Sequence, residues 1–198
     1  MPWTPVVMLA CVSFALGSLF AAAEVSTVAF SSEQHAKSLA GVLLGCWAAG
    51  SMVAGLLTGT LVWRRSPIAR VRAGCLLLTV VMVPTTFVGS MAVMGVVLFV
   101  AGFGVAPTLI ALFSGIERGV PAGRLTEGIA ISHTGLAAGL APGAWLSGLV
   151  IDAHGASPSY AVAVAGGLVA TLVSVGLPSS FGSAAVRRRG GADELQVG

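Results

Sequence analysis

Charge is what this sequence has least of. Only 9% of its 198 residues are Asp, Glu, Lys or Arg, against about 25% in soluble domains. So few cannot cover a water-facing surface when 56% of the chain is hydrophobic. A soluble globular fold is excluded, and the chain reads as an all-α integral membrane protein whose first partner is the lipid bilayer. Cysteine is also scarce. Cys11, Cys46 and Cys75 all lie inside apolar runs and none has a CxxC partner, which excludes a disulfide framework and a thiolate metal site. HExxH, GxxxxGK and a plausible Ser-His-Asp set are missing too. No catalytic residue, metal or other cofactor is expected, and the chain does not read as an enzyme. No Lys or Arg precedes the first apolar run, so that run reads as a retained membrane helix and not as a signal peptide.

What the sequence does have is long apolar runs. A helix of ~20 apolar residues crosses ~30 Å of hydrocarbon. Six segments qualify, at about 5–30, 39–63, 73–88, 92–116, 125–151 and 160–177. They form one expected bundle over residues 1–180, followed by a polar tail, 181–198, expected to be disordered. Thr4 and Pro5 suit the N-cap and first position of the first helix. Pro67 is read as the break after the second. Gly102, Gly104 and Pro107 predict a bend within the fourth.

Small residues recur on helix faces. Gly41, Gly45, Gly55 and Gly59 fall at helical spacing in the second segment. Gly135, Gly139 and Gly143 do so in the fifth, with Gly128, Ser132 and Ser147 on the same face. Such stripes let membrane helices approach closely, so these glycines are read as helix-packing residues. The second segment contains GLLTG (55–59) and the fifth GAWLSG (143–148). This echo predicts a three-plus-three inverted repeat.

The net charge of +3 is spread between apolar segments, a topology signal and not a nucleic-acid patch. Arg64, Arg65, Arg70, Arg72, Arg118 and Arg124 fall in loops of one side, with Arg187 to Arg189 in the tail; the other side has only Lys37. The arginine side, with both termini, is therefore read as cytoplasmic, and Arg64, Arg65, Arg118 and Arg124 as cytoplasmic-loop residues. Trp3 and Trp63 are expected at the inner interface and Tyr160 at the outer one.

An ionised group inside a membrane costs roughly 2.5–3.5 kcal/mol on insertion scales, so each one there is a functional candidate. Glu24, on the small-residue face of the first helix, is a candidate for proton coupling or for binding a cationic substrate. His133, well inside the fifth helix, is a candidate proton relay or substrate ligand. Glu127 reads as an acid at a helix N-terminus, and Asp152 as a helix terminator.

Longer runs carry a family resemblance. ERGVPAGRLTEG (117–128), GLVIDAHG (148–155) and EVSTVAF (24–30) resemble runs in bacterial drug and metabolite exporters of the major facilitator superfamily. Over about Pro5 to Pro178 the chain is similar to the C-terminal six-helix half of such a transporter, helices seven to twelve. Gly59 and Arg64 fit that family's helix eight–nine loop, but Trp63 stands where it has an acid. The resemblance implies secondary active transport of a small molecule, possible proton coupling, and a bacterial inner-membrane location. It also implies a partner, since the substrate path lies between two halves: a second copy in a homodimer, or another six-helix half. The alternative is a structural or partner-binding membrane protein, or an inactive transporter fragment.

Overall fold

The computed structural model describes residues 3–60 and 66–178. Trp63, Arg64, Arg65 and the tail 181–198 lie outside the described residues, as does the expected end of the second helix.

Every regular element among the described residues is helical: α1 Trp3–Glu33, α2 Ala40–Thr60, α3 Pro67–Met82, α4 Met91–Gly102, α5 Val105–Gly119, α6 Leu125–His154 and α7 Ala156–Val175. With α4 and α5 as one bent rod, six helices are long and apolar enough to span a membrane. The bend falls where Gly102, Gly104 and Pro107 predict it. Phe103 and Gly104 donate to Val100 and Ala101, three residues back. Pro107 has no N–H to continue the ladder.

Several helix ends differ from the sequence reading; Thr4 and Pro5 lie within α1, which runs to Glu33, and α5 runs to Gly119, each three residues beyond the expected end. The third helix begins at Pro67, not Ala73. Ser66 caps it, its Oγ accepting from Ala69 N at 3.3 Å, and Pro67 takes the first position, where a missing N–H is harmless. Arg70 and Arg72 therefore lie in a helix and not in a loop. The fifth helix is not ended by Asp152. It runs to His154 and stops at Gly155, whose φ of +89° glycine adopts without strain. The last helix then starts at Ala156, four residues earlier than expected, with Pro158 tolerated in its first turn.

The most enclosed helix is α1. It packs along α6 on one side and α7 on the other; α3 joins α7 to α5, and α2 leans on α4. Where α1 crosses α6 the backbones touch. A Cβ added at Gly135 would lie 2.6 Å from Ala10 O, and one at Gly139 or Gly143 would collide with the carbonyl of Phe14 or Ser18. Ser18 Oγ donates to Gly139 O at 2.9 Å, a bond that only this close approach permits.

On α2 the packing face is not the expected one. A Cβ at Gly41, Gly45 or Gly59 would meet nothing within 4 Å, and one at Gly55 would meet only Ala106 Cβ, at 3.3 Å. The buried face is Leu43, Trp47, Gly50, Ala54 and Thr58. Its close approach is at Gly50, against the Phe99 carbonyl and Gly102 of α4.

Polar bonds tie α7 to α1. The Tyr160 and Thr27 hydroxyls are 2.7 Å apart, and Ser159 Oγ donates to Ser26 Oγ at 2.6 Å. Tyr160 is thus fully buried and presents no ring to the surface of the bundle. Its hydroxyl finds a partner inside the bundle, which makes burial affordable.

Candidate functional site

Between the two crossings lies a cleft of about 630 Å³, lined by α1, α2, α5 and α6. One wall, from α1 and α6, carries Glu24 and His133. The facing wall, from α2 and α5, carries Leu44, Trp47, Val105 and Leu109, with Ser51 as its one hydroxyl. The two ionisable candidates, far apart in sequence, thus open into one space.

Each is positioned by its helix. Glu24 lies one turn beyond Phe20 on the exposed side of α1, whose other faces are buried. His133 is exposed on α6, beside the buried stripe that holds that helix to α1. Its ring stacks on Phe113 of α5, with centroids 4.8 Å apart and planes 23° from parallel. Stacking fixes the plane of the imidazole and leaves its nitrogens free to serve a ligand or a proton.

Sequence reading missed Trp47. It packs edge-on to Phe20, with centroids 5.9 Å apart, so the two aromatics form the cleft's apolar floor. Its Nε1 is buried without a hydrogen-bond partner, as is the Ser132 hydroxyl beside His133. The signal was WAAG (47–50), a large residue one helical turn before a glycine, matched by LAAG (136–139).

Arg118, Arg124, Glu127 and Asp152 are all exposed and do not line the cleft. Glu127 sits in the first turn of α6, where the helix dipole favours an acid. Among the described residues no group of three His, Cys, Asp or Glu could hold a metal ion. An apolar wall opposite a carboxylate and an imidazole can bind a small amphipathic molecule and exchange protons with it. No protein-family model matches the chain, and no curated protein matches it.

Proposed function

We propose that this chain is one six-helix half of a secondary transporter of the major facilitator type, with the cleft as its share of the substrate path. The observation that carries this reading is a correspondence between the first three and the last three membrane helices, centred on the cleft. Exchange them in order, and α1 on α6 becomes the α4–α5 rod on α2, α1 on α7 becomes that rod on α3, and α3 on α7 returns to itself. These are the main pairings of the bundle.

The match extends to residues. Phe14 and Gly17 correspond to Phe99 and Gly102, and Leu136 and Gly139 to Trp47 and Gly50. Gly17 sits against the Leu136 carbonyl as Gly102 sits against that of Trp47; Gly139 meets the Phe14 carbonyl as Gly50 meets that of Phe99. In the same register Phe20 pairs with Val105, Glu24 with Leu109 and Leu44 with His133. Trp47 pairs with Leu136, Ala48 with Ala137 and Ser51 with Leu140. Those pairs are the whole lining of the cleft. An inverted repeat puts its binding site on such an axis, near the bilayer midplane. Glu24, His133 and Ser51 break the correspondence, each matched to a leucine in that register, so they are the groups that give the site its chemistry.

The substrate is a small amphipathic molecule, and Glu24 is the proton-coupling group. The test is accumulation of fluorescent amphipathic dyes, cationic and anionic, in energised vesicles carrying the chain. Accumulation should depend on pH, and Glu24→Gln should flatten that dependence. An unchanged pH profile in the mutant would sink the coupling role.

The arginine-bearing end, which includes Arg118 and Arg124, is read as cytoplasmic in a bacterial inner membrane. Glu24 and His133 are exposed on an open cleft, and facing lipid would cost roughly 2.5–3.5 kcal/mol per ionised group. A second six-helix half, most simply a second copy, would cover them. The unpacked faces of Gly41, Gly45 and Gly59 favour the same covering, and they equally favour a partner-binding protein that transports nothing. Light scattering with the detergent contribution removed should give a protein mass twice that of the 19.7 kDa chain. A monomer would overturn self-pairing. A stable dimer that accumulates no dye would favour the non-transporting reading.

A further inference from the structure

A second hollow, separate from the cleft, lies on the outside of the bundle between α2 and α4. It holds about 570 Å³ and is lined by Leu39, Val42 and Cys46 on one side and Gly95, Val96 and Phe99 on the other. Its origin is local. The two helices touch at Gly50 against Phe99 and Gly102, then separate toward the end of the bundle that carries Lys37. There a Cβ on Gly95 would find only the ends of side chains, Leu43 Cδ2 at 3.5 Å and Cys46 Sγ at 3.9 Å. The α1–α6 crossing stays closed over the corresponding turns, because Gly135 lies against the Ala10 backbone.

We infer that this groove holds an anionic phospholipid of the surrounding membrane, with an acyl chain in the groove and its phosphate at Lys37. The lining has no charged side chain and no hydroxyl, so water inside would lack the polar partners that keep it in place. Val42 and Val96 are more than half exposed, so the groove opens sideways to hydrocarbon. Its upper edge is set by the turn Lys37–Leu39, whose last residue lines it. Lys37 is the one lysine of the chain. It is exposed, and its ammonium group has no hydrogen bond or ion pair among the described residues. The nearby acid Glu33 is already engaged, accepting from Ala156 N at 2.8 Å. An unpaired cation above an apolar slot matches a phosphodiester above a chain, and a lysine stem can reach along the hydrocarbon edge to meet it.

The test is native mass spectrometry of the delipidated protein in detergent. The probes are phosphatidylglycerol and a diacylglycerol with the same chains. Wild type should take up one tightly held phosphatidylglycerol and hold it better than the diacylglycerol. Lys37→Gln should weaken phosphatidylglycerol about fivefold, the worth of one lysine near a lipid phosphate, and leave diacylglycerol unchanged. Gly95→Leu should fill the groove and remove both lipids while helical content stays wild type. Equal binding of the two lipids, or wild-type binding by Lys37→Gln, would overturn the headgroup assignment. Wild-type binding by a folded Gly95→Leu would overturn the groove. Should that variant not fold, Lys37→Gln decides alone. No retained phosphatidylglycerol in wild type would overturn the whole proposal.

Discussion

Gly139→Leu is expected to destroy the native packing of the bundle, and Gly50→Leu to do the same, whereas Gly41→Leu leaves the isolated bundle intact. Helix propensity alone gives the opposite sign, since leucine is better than glycine in a helix by about 1 kcal/mol. Packing decides. A Cβ at Gly139 would collide with the Phe14 carbonyl and lie 3.0 Å from Ser18 N; at Gly50 it would collide with the Phe99 carbonyl and lie 3.3 Å from Gly102 Cα. These neighbours are backbone, so no rotamer change makes room. Nor can α1 slide away from α6, because Gly135 and Gly143 hold it on either side. Overpacking of this kind costs about 3 kcal/mol or more, at the upper end for core substitutions. Gly41 has open space, so only propensity acts there. SDS titration followed by circular dichroism, in a mild detergent, measures all three. A midpoint for Gly139→Leu at or above that of wild type would mean the crossing is wrong. Gly41→Leu has a further use: intact helices with a reduced particle mass would place a partner on that face.

The α6 stripe was legible because its chemistry and its packing coincide. Gly128, Ser132, Gly139, Gly143 and Ser147 are all buried, and Gly135, Gly139 and Gly143 lie against the α1 backbone. On α2 the spacing was equally regular, but Gly41, Gly45 and Gly59 have no neighbour within this chain. Small residues occur on both sides of α2, and periodicity cannot say which side has a neighbour. Trp47 and Gly50 carried that information through their match to Leu136 and Gly139, but it is readable only once the crossings are seen together. The start of the third helix at Pro67 was missed for a different reason. A proline after arginines can end one helix or start the next, and Ser66 before it was the deciding cap. Of the site, Glu24 and His133 were legible because ionisable groups stand out in apolar segments. That they share a cleft, with an aromatic floor of Phe20 and Trp47, depends on contacts between helices distant in sequence.

Arg72→Met should cost about 3 kcal/mol or more, through α7 and not through its own helix. Helix α7 ends at Val175, and the last carbonyls of a helix have no partners within it. Arg72 of α3 supplies them: Nε donates to Ser174 O at 3.0 Å, and Nη2 donates to Val175 O at 3.0 Å and to Leu177 O. Hydrogen bonds from a charged donor contribute about 1.5–3 kcal/mol each, and the positive charge lies at the negative end of the helix dipole. The other end of α7 has the complementary arrangement, Glu33 Oε1 accepting from Ala156 N at 2.8 Å. The helix is thus gripped by an acid from α1 and a base from α3. The two grips are unequal, so their variants should differ. Glu33→Gln keeps an acceptor and loses only a charge at an exposed site, a loss of about 0.5–1 kcal/mol. Arg72→Met removes a donor from three carbonyls, of which only Ser174 O keeps another, Leu177 N at 3.2 Å. Arg72→Lys should recover less than half of the loss, because an ammonium lacks the planar fork that reaches several acceptors at once. SDS titration gives the stabilities, and hydrogen exchange locates them. Arg72→Met should speed exchange in the last turns of α7 while α6 stays protected. Equal speeding across all helices, or full rescue by lysine, would show that Arg72 matters for its charge alone and not for the bonds that close α7.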